Sequence, residues 1–238
     1  MERSLTIARR ELGSYFYSPI AYVAMFFFLL ACGGLFWGDF QPGEPAAMRT
    51  IFEWMVWLLV VVIPILSMGL LAQEWASGTI ETMMTAPVGE ADMVLGKFFG
   101  SYLFLLVLLA PTLLYVVLLA IFGRPDYGPI LAGYLGILLV GALFMAIGLF
   151  CSSLTRSQVV AAVTAAAILC LVTIIPWWAG SKASLPAFWR KVVEQGVFNR
   201  YTDFAKGVPS TSNIVFFLAT TAVFLFITIK VLESRRWK

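Results

Sequence analysis

Histidine is absent from the 238-residue chain, which removes the commonest general base and a principal ligand for haem and zinc. Charged residues are scarce at 12%, where an ordinary soluble domain carries about 25%. Hydrophobic residues make up 61% and the mean hydropathy is +0.92, so a soluble globular protein is excluded and a membrane protein is indicated. The three cysteines, Cys32, Cys151 and Cys170, lie far apart within or at the ends of apolar runs, with no CxxC pair. They read as small buried hydrophobes and not as disulfide partners or metal ligands. No GxxxxGK[ST] phosphate loop occurs, so ATP is not bound by that route. No basic run carries aromatics at a nucleic-acid-binding spacing, and the net charge of +3 adds no such signal.

What is present is a set of six apolar runs, at about 20–37, 55–72, 98–122, 130–151, 159–178 and 214–232, each long enough to cross a bilayer. The expectation is an all-α membrane protein with six transmembrane helices, organised as one transmembrane domain over 1–238. Residues 2–17 place Leu5, Ala8, Leu12 and Tyr15/Phe16 at helical spacing opposite Arg3, Arg9 and Arg10, the pattern of an N-terminal interfacial helix. Pro64 and Gly69 are expected kink points in the second run, and Pro111 lies at the middle of the third. Gly96 and Gly100 form a GxxxG at the entry to the third run. The glycines of the fourth, Gly133, Gly136, Gly141 and Gly148, are expected to let helices approach closely. In the fifth, Ala161 with Ala165 and Ala162 with Ala166 are small residues four apart, suited to packing within the chain or against a second protomer. An outer loop, 179–213, contains a helical pattern beginning at Pro186 that includes Trp189 and continues through Tyr201, Phe204 and Val208.

The longest polar interruption between the early apolar runs is 74–97. Its first half reads as helix from Glu74 to Thr85, with Glu74, Gly78 and Glu81 near one face. Pro87 stops it. With six spans both termini share a side, which carries nine Lys and Arg against seven opposite. Both tails are basic, so the termini and the 74–97 segment are expected in the cytoplasm. No ionisable residue falls within the six runs except Lys230 near the end of the last, so an ion-driven carrier lacks the groups it would titrate. Any uphill work has to arrive through contact with a nucleotide-hydrolysing partner, and 74–97 offers the largest surface for it.

The run VIPILSMGLLAQEWASGTIETMMTAPVGEADMVLGKFFG resembles the signature of ABC-2 type transporter permeases, closest to the gliding-motility-associated and copper-enzyme-maturation branch. The matching positions are Pro64, Met68, Glu74, Gly78, Thr79, Glu81, Thr85, Pro87, Gly96 and Lys97. The run NRYTDFAKGVPSTSNIVFFL is similar to that branch's segment before the last span, through Phe204, Gly207 and Val208. Basic residues that the family tends to place after Met68 and after the glutamate are replaced here by Gly69 and by Trp75, Ala76 and Ser77. The resemblance implies a half-transporter in the bacterial inner membrane with a cytoplasmic coupling helix between spans two and three. Glu74, Ser77, Gly78, Thr79, Glu81, Thr85 and Pro87 would meet an ABC ATPase subunit, expected in two copies. ATP and magnesium would sit on that subunit, leaving this chain with no cofactor and no catalytic role of its own. A second permease copy, the same or closely related, would pack alongside, with Pro64, Met68, Ala161, Ala162, Ala165 and Ala166 as interface or path candidates. Trp189, Tyr201, Phe204 and Gly207 are outer-gate candidates, and a periplasmic or membrane accessory subunit is compatible with the family. A scaffold that recruits the ATPase and conducts nothing is the alternative.

Overall fold

The computed structural model describes residues 2–39, 48–79, 89–123, 125–180 and 196–236, and these are helical with no strand among them. Helix α1 spans Glu2–Tyr17, α2 Pro19–Asp39, α3 Arg49–Ser67 and the short α4 Ala72–Ser77. After it come α5 (Glu90–Leu109), a 3-10 turn at Ala110–Thr112, α6 (Leu113–Phe122) and α7 (Tyr127–Leu154). The chain then forms α8 (Gln158–Gly180), α9 (Val197–Ala205) and α10 (Thr211–Arg236). Six of the resulting segments are long and apolar enough to cross a membrane: α2, α3 with α4, α5 with α6, α7, α8 and α10. The protein is a multi-pass membrane protein.

Helix α7 is the axis of the bundle and packs on α3, α5, α8, α9 and α10. Its glycines explain how so many neighbours fit. A Cβ at Gly133 would strike Phe52 of α3, at Gly136 Phe204 and Tyr201 of α9, at Gly141 Leu105 of α5, and at Gly148 Ser67 of α3. Each missing side chain therefore admits one neighbour, which realises the close approach expected from the sequence. The other spans turn large apolar side chains such as Phe26, Phe27, Leu30, Val61, Leu114 and Phe226 outward, as lipid-facing surfaces do.

Several boundaries differ from those expected. Helix α3 begins a turn or more earlier, at Arg49, because Arg49 and Glu53 pair at 3.2 Å one turn apart and so support helix in a stretch that hydropathy assigns to a loop. Helix α5 begins at Glu90, with Glu90 and Asp92 in its first turn, where carboxylates suit the helix dipole. Lys97 consequently lies inside a helix and not before it. The expectation that only Lys230 among charged residues falls within a span is corrected: the helices that form the second and third candidate spans also contain Arg49, Glu53, Glu74, Glu90, Asp92 and Lys97. Pro111 is accommodated by the 3-10 turn, where Thr112 Oγ1 donates to the Leu109 carbonyl at 2.6 Å.

At the far end α9 is seated in the bundle, with Tyr201 and Phe204 fully buried. Val208, read as part of the same apolar pattern, is exposed, because α9 stops at Ala205 and the chain reverses at Gly207, whose φ of +81° belongs to the left-handed region. The Val208 amide donates to the Asp203 carbonyl at 3.0 Å across that reversal. Asn213 ties α10 to α9: it accepts from Arg200 Nη1 at 2.9 Å and donates to Asp203 Oδ2 at 2.9 Å. Trp189 and the helix expected from Pro186 lie outside the described residues.

Candidate functional site

The second membrane segment is broken near its end, and the break defines the site. Pro64 lies within α3 and has no N–H to donate, which weakens the ladder there. The helix ends at Ser67, and a turn through Met68, Gly69 and Leu70 leads into α4. The Ser152 hydroxyl of α7 holds the break together: it donates to the Met68 carbonyl at 2.9 Å and accepts from the Leu71 and Ala72 amides at 3.0 Å each. Buried backbone groups that a broken helix would leave unsatisfied are thereby paired.

Helix α4 is then braced from three further directions. Glu74 Oε1 lies 2.8 Å from Lys97 Nζ of α5 and 3.5 Å from Arg10 Nη2 of α1. The same Lys97 nitrogen lies 2.9 Å from Glu11 Oε1 of α1, and Arg10 reaches Glu11 at 3.3 Å. Two carboxylates and two cations form one neutral group, with the Lys97 side chain only 2% exposed. On the other side of α4, the Arg235 guanidinium of α10 lies 4.9 Å from the Trp75 ring centre. Arg235 also donates to the Leu154 carbonyl at 2.7 Å, an orphan acceptor at the end of α7.

Helix α1 reaches this cluster because Gly96 and Gly100 of α5 leave it room. A Cβ at Gly96 would lie 2.9 Å from the Ser4 carbonyl, and one at Gly100 2.8 Å from the Ala8 carbonyl. Tyr15 closes the contact: its ring stacks on Phe104 at 4.6 Å and its hydroxyl donates to the Leu66 carbonyl at 2.8 Å, next to the break. Burial first, and then the Glu11 charge, push the Tyr15 phenol up, which keeps it a donor.

Helix α4 ends at Gly78, which adopts φ +72°, ψ 0°. A Cβ there would meet nothing within 4 Å, so glycine is required by the backbone conformation and not by crowding. Ser77, Gly78 and Thr79 are exposed, with the Ser77 and Thr79 hydroxyls 2.9 Å apart.

Residues 36–237 match the family described as ABC-2 family transporter protein. This chain belongs to that family. It is also similar to a protein of Pseudomonas aeruginosa described as "Probable ABC transporter permease protein NosY", at 26% identity over 170 residues. That match covers 62% of this chain and 58% of the relative, so the chain spans less than two thirds of the curated relative it matches.

Within this ABC-2 family chain the residues singled out from the sequence separate into groups. Ser77, Gly78 and Thr79 sit together at the exposed tip of α4. The helix bearing Glu74 ends at the left-handed Gly78, so Glu74 and Gly78 do not lie within one continuous helix, and Glu74 Oε1 is engaged by Lys97 and Arg10. Glu81, Thr85 and Pro87 lie outside the described residues. Pro64 is buried, and Met68 is half-buried at the break. Ala161 and Ala165 are 1% exposed and packed inside the chain, while Ala162 and Ala166 are half-buried on the adjoining face of α8. Tyr201 and Phe204 are core residues of α9, and Gly207 forms its reversal.

Sequence reasoning missed Glu11, Arg10, Ser152 and Arg235 as parts of the site. The signal for Glu11 was present: Ala8, Glu11 and Tyr15 fall on one helical stripe, and the GxxxG of Gly96 and Gly100 noted at the entry to the third run is the seat they pack against. Serine at the end of an apolar run, and arginine in a basic tail, carried no comparable signal.

Proposed function

We propose that this ABC-2 family chain is the permease subunit of an ABC transporter or ABC-powered machine, in which α4 and the residues after it take up motion from a separate ATPase. The observation that carries this reading is the bracing of α4. A short helix joined to a membrane span by a clasped turn, fixed by Ser152, Lys97, Arg10 and Arg235 and ending in an exposed Ser77-Gly78-Thr79 tip, transmits a displacement where a free loop would absorb it. In this reading Ser77, Gly78, Thr79, Glu81, Thr85 and Pro87 meet the ATPase, and Glu74 holds the handle rigid. The similarity to a protein described as an ABC transporter permease supports the assignment.

Two permeases would stand side by side, each on its own ATPase subunit, with ATP and magnesium held there. The α8 face bearing Ala162 and Ala166 is the one left for a second protomer, since Ala161 and Ala165 are engaged within the chain. Pro64 and Met68 would act as the flexing point, and the buried Tyr201 and Phe204, with Gly207 at the turn, as a fixed outer closure. The protein would lie in the bacterial inner membrane with both termini cytoplasmic.

The test is co-purification of an ABC ATPase subunit co-expressed with this chain. Glu81→Lys and Gly78→Trp are each expected to lower its recovery about tenfold, a loss of about 1.4 kcal/mol of binding, with membrane insertion intact. Stoichiometric ATPase on both variants would show that the segment is not the docking surface. ATP hydrolysis by an assembled complex that translocates no candidate substrate into vesicles would favour the scaffold. For orientation, a cysteine at Ser210 should react with an impermeant maleimide on intact cells and one at Ser234 should not; the reverse pattern would place the tip outside, beyond reach of any cytoplasmic ATPase.

A further inference from the structure

A cleft of about 490 Å³ opens beside the braced helix, between α1, the start of α2 and the break in the second span. Its size falls within the roughly 300–1,000 Å³ of small-ligand sites. Its position is set by the ends of three spans. Ser18 and Ile20 flank the start of the first, Gly69 to Gln73 lie near the end of the second, and Gln158 begins the fifth. The cleft therefore lies at the level where lipid headgroups meet the protein, on the side of the termini.

Its lining is chemically selective. Ser14, Ser18, Gln73 and Gln158 line it, and among the described residues none of these side chains makes a hydrogen bond. Glu11 also lines it, with Oε1 held by Lys97 and Arg10 and no bond to Oε2 made among the described residues. No lysine or arginine lines the cleft. A wall formed by Ile20, Ile65 and Leu66 backs the polar groups, as an amphiphile requires. Tyr17 also lines it and is largely exposed, offering an aromatic face to a cation.

We infer that this cleft binds a phospholipid whose head carries a primary ammonium, of the phosphatidylethanolamine type. The ammonium donates to Glu11 Oε2 and the neighbouring hydroxyl and amide oxygens. The amide N–H groups of Gln73 and Gln158 and the serine hydroxyls donate to the phosphate, and the acyl chains lie along the α2 and α3 wall. A trimethylated choline head has no N–H to donate, and an anionic glycerol head brings no ammonium to Glu11 and finds no lysine or arginine in the lining of the cleft. A lipid seated here touches both α1 and the turn at Met68 to Leu70, so it wedges the two sides of the break.

The experiment uses the full-length chain in detergent, exchanged into bilayer discs of equal parts phosphatidylethanolamine, phosphatidylcholine and phosphatidylglycerol. Lipid retained after re-extraction is read by mass spectrometry of the intact protein. Phosphatidylethanolamine should be retained about tenfold over each of the others, equivalent to about 1.4 kcal/mol. Gln73→Lys should move retention toward phosphatidylglycerol by placing a cation in the cleft. The double variant Ser14→Leu with Gln158→Leu should abolish the preference while the protein remains folded. Excess soluble phosphoethanolamine should not displace the lipid, because it lacks the chains that the apolar wall holds. Retention in bulk proportions, a wild-type preference for the choline or glycerol lipid, selection unmoved by either change, or displacement by the soluble head would each overturn the assignment.

Discussion

Lys97→Met is expected to cost about 3–5 kcal/mol, the range for removing one partner of a buried ion pair, and to give the largest fall in thermal midpoint of any single change in the cluster. The Lys97 side chain is 2% exposed and lies 2.9 Å from Glu11 and 2.8 Å from Glu74, whose side chains are 11% and 15% exposed. Without its ammonium two carboxylates converge on one apolar side chain. Arg10 cannot substitute, since it is 60% exposed, stands farther off and is screened by solvent. Removing the carboxylates together with the cation separates charge from packing. If electrostatics dominate, the triple variant Lys97→Met, Glu11→Gln, Glu74→Gln regains about 2 kcal/mol or more over Lys97→Met alone, because no uncompensated charge is left behind. If the triple variant is no better, the lysine stem matters as filling and not as a cation. A Lys97→Met midpoint equal to wild type in detergent would mean that Glu11 and Glu74 are solvated, and the bracing of α4 would lose its electrostatic half. Lys97→Arg keeps the charge but brings a planar fork into a site that holds a compact ammonium, so a partial loss is expected there.

The same residue shows where sequence reasoning reaches its limit. The six apolar runs, the break at Pro64 and Gly69 and the packing role of the α7 glycines were legible, because each follows from composition or steric size along one stretch of chain. The position of Lys97 was not. Averaged hydropathy sees a charge and ends the span, whereas the helix continues through it because Glu11 and Glu74, 86 and 23 positions away by residue number, neutralise it. Glu74 was singled out from the sequence as a residue that meets the ATPase, whereas the direction it faces depends on a lysine and an arginine that only the fold brings near. Gly78 was legible as a small residue in a conspicuous place, though its requirement is the left-handed backbone at φ +72° and not a crowded contact. The Ser152 bridge has no signature of its own in the chain: a serine at the end of an apolar helix is ordinary until the amides of Leu71 and Ala72 are placed beside it.

Gly100→Leu should lift α1 from the bundle, and Gly100→Ala should produce much of the same effect. The reason for the second expectation is the nature of the obstacle. A Cβ at this position would lie 2.7 Å from Glu11 Cβ and 2.8 Å from the Ala8 carbonyl oxygen, and a backbone atom cannot rotate aside as a side chain can. Overpacking in a well-filled site costs about 1–3 kcal/mol, and leucine adds atoms in the same direction. The loss is not confined to the glycine. Helix α1 carries Tyr15, which stacks on Phe104 and bonds the Leu66 carbonyl, and it carries Glu11 and Arg10 of the ion cluster. Displacing it breaks these together and leaves Lys97 with Glu74 alone. At 16 residues α1 is near the length at which an isolated helix is marginal in water, so its amides should exchange with solvent at least about tenfold faster, as expected for about 1.4 kcal/mol less protection. Peptides from α7 should be unaffected, which distinguishes release of one helix from general unfolding. If α1 in Gly100→Leu stays as protected as in the wild type, the helix does not depend on the Gly96 and Gly100 seat. The cluster at α4 would then be held by α5 alone, and the N-terminal helix would have no part in stiffening the segment proposed to meet the ATPase.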